Sequence, residues 1–300
     1  MGDNFTIGMN IRVLYILMCA AVLTAAGCTR KNDTAGGPVV SVEPQRVLLQ
    51  SIVGDRHEVR TLLAKNANPE SFEPTMQTRM ALDKAPVYFS TGLLPFEQNL
   101  LGNLPANVLA VDCSQGIDLL YGTHGHHHGD ECRHGDCHSG ADPHIWTSVR
   151  NARVMAATMA RVMAEAEPEN ADYYMDNYKA LDRHLDSLDR AFARRIGAVA
   201  SDRRAFAVWH PSLSYLARDY GLDQIAVGYE NKEMSPRHLA EVTEEARRHN
   251  VRVFFFQSEF DSRQAESLNR AMGTRMISIN PLGADWEAEL NTVVDAIVAD

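Results

Sequence analysis

The sequence predicts an α/β protein of two lobes, each with a mostly parallel sheet, joined by one long rigid helix. Three observations support this prediction. Short apolar runs typical of strands alternate with helical patterns both before residue 122 and after residue 199. Between these regions, one amphipathic helical pattern continues from residue 169 to residue 196. The 300 residues are 45% hydrophobic and 23% charged, a globular composition with enough apolar residues for two cores.

The first 27 residues have the organisation of an export signal. Arg12 precedes the apolar run 13–26, which is shorter than the ~20 residues that a membrane-spanning helix needs. Small residues directly before Cys28 resemble a bacterial lipobox, so we expect residues 1–27 to be removed and Cys28 to be lipidated. An uncleaved N-terminal anchor is the alternative. Either arrangement places the protein outside the cytoplasm. With lipidation of Cys28, residues 28–44 form a lipid-anchored tether.

We assign residues 45–167 to the first lobe. The apolar run 46–53 predicts a strand, and the segment 57–64 predicts a helix. Residues 66–74 contain two prolines and no regular period, which predicts a loop. The other predicted elements of this lobe are a helix at 75–84, strands at 87–90 and 108–111, a histidine-rich loop at 122–141 and a helix at 149–166.

The linking helix is assigned to residues 168–198, after a break at Pro168. Its apolar residues are spaced alternately four and three apart, which is the period of a continuous helical stripe. These residues are Tyr174, Tyr178, Leu181, Leu185, Leu188 and Phe192. A helix of this length would extend ~40 Å, enough to span a lobe.

Residues 199–300 form the second predicted lobe, in which strands and helices alternate again. The predicted strands are 205–209, 251–256 and 276–279, and the predicted helices are 212–220, 235–250, 262–272 and 286–298. The formal net charge is −10, and the Lys and Arg residues are scattered, so we expect no nucleic-acid partner.

A histidine-rich segment is the strongest indication of chemistry. Seven of the twelve histidines lie between His124 and His144. Imidazole is the commonest protein ligand for borderline metals such as zinc. The glycines and acidic residues of the loop do not favour packing, so we expect a surface loop that collects metal rather than a fixed site. The predicted accessory ligands are His124, His126, His127, His128, His134 and His138.

Two other histidines stand in more constrained surroundings. His144 lies in the DPHIW stretch at 142–146, where a proline and bulky apolar residues impose shape. His210 follows a buried strand, at the edge of the sheet where α/β proteins bind ligands. We expect both to be metal ligands. Cys132 and Cys137 are either a loop disulfide or soft metal ligands, and the sequence does not distinguish these.

Several short stretches together resemble one family. They are NPESFEP at 68–74, DPHIW at 142–146, the segment 206–215 with the following YGL at 220–222, SP at 235–236 and NPLG at 280–283. In their order and spacing, from about residue 46 to the end, the chain resembles the metal-binding lipoproteins of ABC importers. These are the ZnuA-type zinc group, with its manganese-binding and adhesin relatives.

The resemblance implies a metal held between the two lobes and delivered to a membrane permease. Its ligands would include a histidine in the loop 69–74, His144 and His210, with a carboxylate from the second lobe. This sequence has Glu70 in place of the first histidine. Gln257 and Asn280 stand where glutamate and aspartate are usual, which leaves Glu259 or Asp285 as candidate carboxylates.

We therefore expect a monomeric, lipid-anchored zinc-binding protein whose cargo ligands are Glu70, His144 and His210. A carboxylate can replace imidazole at similar reach, but it makes Mn²⁺ or Fe²⁺ cargo more acceptable than a three-histidine site would. The histidine-rich loop favours Zn²⁺. The alternatives are a manganese or iron binder, a surface adhesin of the same fold, and a zinc hydrolase using a metal-bound water with Glu259 as general base.

Overall fold

Two four-stranded parallel sheets form the framework of the protein. In the computed structural model, the described residues are 36–65, 67–122, 140–228, 235–257, 260 and 262–299. The first sheet has the order β2-β1-β3-β4 and the second β6-β5-β7-β8, and every paired strand is parallel. The predicted α/β class with two lobes is confirmed.

The first sheet consists of short strands with helices between them. Its strands are β1 (Val39–Val40), β2 (Arg60–Thr61), β3 (Val87–Ser90) and β4 (Leu109–Asp112). Its helices are α1 (Glu43–Val53), α2 (Met76–Leu82) and α3 (Pro95–Leu101). The predicted helix at 75–84 and strands at 87–90 and 108–111 are therefore confirmed to within two residues.

Two predictions near the start of this lobe are wrong. Residues 46–53 belong to helix α1 rather than to a strand, and the segment 57–64 contains strand β2 rather than a helix. Helix α1 buries Leu48, Leu49, Ile52 and Val53, a spacing that places them on one helical face. The first strand, Val39–Val40, lies within the segment 28–44 that we interpreted as tether. The end of this segment is therefore part of the first sheet rather than tether.

Two packed helices connect the lobes. Helix α4 (Val149–Ala166) has the predicted bounds, and a 3₁₀ turn (Pro168–Asn170) leads into the 27-residue helix α5 (Ala171–Gly197). Arg153 of α4 donates hydrogen bonds to Asp182 and Asp186 of α5. A single apolar cluster continues from Phe89 of the first sheet through these helices to Phe255 of the second.

The second lobe follows the predicted order closely. Its strands are β5 (Ala205–Val208), β6 (Asp223–Ala226), β7 (Val253–Gln257) and β8 (Arg275–Ile279). Its helices are α6 (Ser214–Tyr220), α7 (Pro236–Arg248), α8 (Ser262–Met272) and α9 (Trp286–Val298). Strand β6 was not predicted, because its sequence DQIA has few apolar residues. In the described part of the chain, no helix has the length and apolarity needed to cross a membrane.

Candidate metal centre

Three side chains from distant parts of the sequence meet at one point. They are Glu70, His144 and His210, and one potential ligand atom from each lies within 4.8 Å of the others. The Nε2 atoms of the two histidines are 3.3 Å apart. Oε1 of Glu70 is 3.4 Å from Nε2 of His210 and 3.8 Å from Nε2 of His144. Each of the three therefore directs a donor atom into the same small space.

Two of these three separations match the edges of a coordination tetrahedron. Two donors that each lie about 2.0–2.1 Å from a zinc ion, with a tetrahedral angle between them, are roughly 3.3–3.4 Å apart. The observed separations are 3.3, 3.4 and 3.8 Å. The two imidazole nitrogens and the carboxylate oxygen can thus bind one ion together after a small shift of Glu70. Among the described residues, the cluster contains these three donors.

Glu70 reaches the centre from the predicted loop between β2 and α2. Its backbone N–H donates to Oδ1 of Asn68, 2.8 Å away, and the N–H of Ser71 donates to the carbonyl of Asn68. These bonds form a compact turn around Pro69, so the carboxylate leaves the loop in a defined direction. Its side chain is 25% exposed, the largest exposed fraction of the three.

His144 is held by the carboxylate of Asp142. Nδ1 of His144 lies 2.8 Å from Oδ1 of Asp142, and the backbone N–H of His144 donates to the same oxygen. Both side chains are buried. An acceptor on Nδ1 favours the tautomer in which Nδ1 carries the proton, which leaves the lone pair of Nε2 available for a metal ion.

The electrostatics of Asp142 favour its ionised form. Burial alone would raise the pKa of this carboxyl group, but hydrogen bonds from His144, the charge of that imidazole and a further hydrogen bond from Ser214 lower the pKa below its ordinary value. The backbone carbonyl of Asp142 also accepts a 2.7 Å hydrogen bond from the hydroxyl of Tyr215, in helix α6. The second lobe thus supports the segment that carries His144.

His210 follows the carboxyl end of β5, as predicted. Its ring stacks on Phe260 with centroids 5.6 Å apart, and it meets the ring of His144 edge-on at 5.0 Å. The side-chain amide of Gln257 binds its backbone N–H and carbonyl groups. A cavity of about 10 Å³, about the size of one water molecule, adjoins the two histidines and is bordered by the apolar side chains of Trp146 and Leu282.

Other predicted site residues lie elsewhere. Asp285 immediately precedes helix α9 and borders a surface groove with Val47, and it is not among the residues clustered at the metal centre. Asn280 accepts the N–H of Leu282 through its own Oδ1. Glu259, Cys28, Cys132, Cys137 and the accessory histidines from His124 to His138 lie outside the described residues.

Three histidines outside the centre have local partners or capping positions. His57 lies in a loop, not on a helix as predicted, with its Nε2 2.5 Å from Oε1 of Glu167. His184 of α5 pairs with Glu287 of α9 at 2.7 Å. His249 caps the end of α7. Among the described residues, these histidines do not join the metal cluster.

Two residues around the centre were not recognised as functional from the sequence. Asp142 was noted only as a member of the DPHIW motif. Its position two residues before His144 was the signal, because a carboxylate there can accept hydrogen bonds from both the backbone and the ring of the histidine. Gln257 was treated as a departure from the usual glutamate. Its contact with His210 depends on the pairing of β5 with β7, which no local pattern reveals.

Comparison with known proteins identifies the family of this chain. The family model described as "ZnuA: Zinc-uptake complex component A periplasmic" matches residues 39–299. The high-affinity zinc uptake system protein ZnuA of Bacillus subtilis (strain 168) is 27% identical over 276 residues, covering 90% of this chain and 85% of that protein.

Solved structures show the same fold. A crystal structure of ZnuA superposes with a TM-score of 0.77 and 32% identity, covering 88% of this chain and 98% of the other. The crystal structure of a ZnuA deletion mutant with zinc bound superposes with a TM-score of 0.76 and 32% identity. This match covers 88% of this chain and 97% of the mutant. Because the family model spans nearly the whole described chain, this protein belongs to the ZnuA family of periplasmic zinc-uptake components.

Proposed function

We propose that this protein captures Zn²⁺ outside the cytoplasm and delivers it to the membrane permease of an ABC importer. The observation that supports this most strongly is the convergence of Glu70, His144 and His210, whose donor atoms are 3.3–3.8 Å apart. Membership of a zinc-uptake family makes the protein a binding component rather than an enzyme, so the hydrolase alternative is set aside. Zinc is the cargo in this account.

Titration of the metal-free protein with Zn²⁺ in competition with a chromogenic chelator tests the proposal. We expect one tight site per chain, which is lost when the three ligands are replaced together by alanine. A wild-type protein that does not compete with the chelator would refute the proposal. Pull-down of the cognate ABC permease tests the delivery step, and parallel binding to host matrix proteins tests the adhesin alternative.

The carboxylate at position 70 is a specific reason to compare metals. An N₂O donor set suits Mn²⁺ and Fe²⁺ better than three imidazoles do, while the general order of affinities still places Zn²⁺ above both. Competition between Zn²⁺ and Mn²⁺ at equal concentrations distinguishes the two cargoes. Displacement of bound Zn²⁺ by equimolar Mn²⁺ would favour the manganese alternative.

We further propose that the histidine-rich loop, 122–141, collects metal for the centre. Its charge and imidazole content support this role. Deletion of residues 123–141, followed by calorimetric titration with zinc, tests it. We expect the additional weak binding to disappear while the tight site persists, and replacement of any single loop histidine to have little effect. Unchanged stoichiometry and affinity would show that the loop has no part in binding.

Membrane attachment through lipid on Cys28, with residues 28–44 as the start of the exported chain, completes the proposal. It rests on the small residues before Cys28 and on the preceding apolar run. Metabolic labelling with a radioactive fatty acid tests it, because Cys28→Ser should abolish incorporation. Size-exclusion chromatography with light scattering tests the expected monomer.

A further inference from the structure

The side-chain amide of Gln257 is fully buried beside the metal centre. Its Nε2 donates hydrogen bonds to the carbonyl of His210 at 2.6 Å and to Oγ of Ser212 at 2.7 Å. Its Oε1 accepts the backbone N–H of His210 at 3.1 Å. One side chain therefore binds both backbone groups of a candidate metal ligand.

This contact extends the second sheet by one step. The last backbone bond from β5 toward β7 runs from the N–H of Trp209 to the carbonyl of Phe255. The chain then turns at Pro211. Within the described residues, the backbone of His210 therefore makes no hydrogen bond to the backbone of β7. The amide of Gln257 takes the place of the next backbone group, and it fixes His210 directly after the strand ends.

An amide suits this place because it donates and accepts at once. The carbonyl of His210 accepts the backbone N–H of Ser212 and also Nε2 of Gln257, while the N–H of His210 donates to Oε1 of Gln257. An ionised glutamate accepts hydrogen bonds only, so one of its oxygens would face the carbonyl of His210 and the hydroxyl of Ser212. The ring of His210 is also confined by Phe260 and His144, so a shift of its backbone would move Nε2 relative to Glu70.

We propose that Gln257 is a positioning residue for zinc binding, which holds the backbone of His210 so that its Nε2 lies beside Nε2 of His144 and Oε1 of Glu70. It acts through His210 and does not bind the ion. The inference rests on the proposed function. It also explains why this chain carries glutamine at a position where the family resemblance predicted a carboxylate ligand.

Three variants test the inference. Gln257→Met keeps the length of the side chain but removes its hydrogen bonds, and Gln257→Glu keeps its shape but removes the donor. Gln50→Met is the matched control, because the side-chain amide of Gln50 makes similar bonds to the backbone carbonyls of Gly54 and His57 and to the backbone N–H of Val59, none of which is a candidate ligand. Zinc affinity is measured by chelator competition, and folding is measured by the midpoint of thermal unfolding.

A second measurement reports on His210 itself. Its ring C–H signals in the NMR spectrum of the metal-free protein can be identified by their absence from the spectrum of His210→Ala. We expect these signals to shift or broaden in Gln257→Met and to be unchanged in Gln50→Met. A residue that only stabilised the lobe would leave them unchanged in both.

We expect Gln257→Met and Gln257→Glu each to weaken zinc binding by about 10- to 100-fold, the usual effect of losing a hydrogen-bond partner of a ligand. Gln50→Met should retain wild-type affinity even if its unfolding midpoint falls. Tighter binding by Gln257→Glu would show that position 257 supplies a ligand and would overturn the inference. Wild-type affinity in Gln257→Met would also overturn it, whereas weak binding by the wild type would refute the proposed function itself.

Discussion

Nδ1 of His144 lies 2.8 Å from Oδ1 of Asp142, and this carboxylate is completely buried. The pair has the carboxylate–histidine arrangement that prepares imidazole to bind a metal ion. Because Asp142 also accepts the backbone N–H of His144, one carboxylate sets both the position and the tautomer of the ligand.

Replacement of Asp142 by asparagine should weaken zinc binding. The variant keeps an acceptor for Nδ1–H but loses the negative charge that makes Nε2 more basic. We expect a loss of about 10- to 100-fold in affinity by chelator competition. Asp118→Asn, with the same change of charge at an exposed position, is the control. Equal affinities for the two variants would show that Asp142 does not prepare the ligand.

Removal of either histidine should abolish tight binding. His144→Ala and His210→Ala each leave two donors of the clustered three, which is too few for a stable zinc site. Isothermal titration should show no tight 1:1 binding in either variant. His184→Ala, which removes an exposed imidazole paired with Glu287, should bind as the wild type does. Tight binding by His210→Ala would refute its role as a ligand.

Zinc affinity should fall as the pH decreases from 7.5 to 5.5. A protonated imidazole cannot bind metal, and imidazoles ordinarily titrate near ~6.5. Protons therefore compete with zinc for His144 and His210, and the dissociation constant should rise progressively across this range. Titrations at several pH values, with a chelator of known pH dependence, measure the effect. A constant affinity over this interval would contradict imidazole ligation.

A second pH effect concerns stability rather than binding. Glu167 contacts His57, Asn170 and Tyr174 between α4 and α5. Burial would raise its pKa, but the hydrogen bonds from Tyr174 and Asn170 and the charge of His57 lower it below its ordinary value. A lowered pKa stabilises the folded state above the ordinary carboxyl value, near ~4.3, and this stabilisation is lost as the pH falls below it.

Glu167→Gln should therefore lower the thermal unfolding midpoint at pH 7, and its difference from the wild type should shrink as the pH falls through ~4. Thermal unfolding of metal-free protein over a pH series measures this. Glu165→Gln, at an exposed site on α4, is the control and should have little effect at any pH. A difference that persisted at low pH would show that the charge of Glu167 is not the cause.

The long periodic segments were predictable because they carry their own signals. The bounds of α4, α8 and α9 agree with the sequence pattern. The run 46–53 was ambiguous, since a short apolar segment suits a buried strand or a buried helix. A helix is favoured by Glu43 and Pro44 before this run and by Gly54 after it. These flanking residues were the signal that could have distinguished a helix from a strand.

The candidate ligands were predictable from motifs, but their surroundings were not. Glu70, His144 and His210 are separated by more than sixty residues from one another, so only the pairing of strands and lobes shows that they meet. The contact of Gln257 with His210 likewise depends on the register between β5 and β7. Long-range contacts of this kind leave no period in the sequence.

The central claim is that one zinc ion binds between Glu70, His144 and His210. An anomalous difference map recorded at the zinc absorption edge, from a crystal of the zinc-loaded protein, tests it most directly. We predict one strong peak at about 2.0–2.2 Å from Oε1 of Glu70 and from the Nε2 atoms of both histidines. A tight site elsewhere, with no anomalous density between these three side chains, would contradict the account.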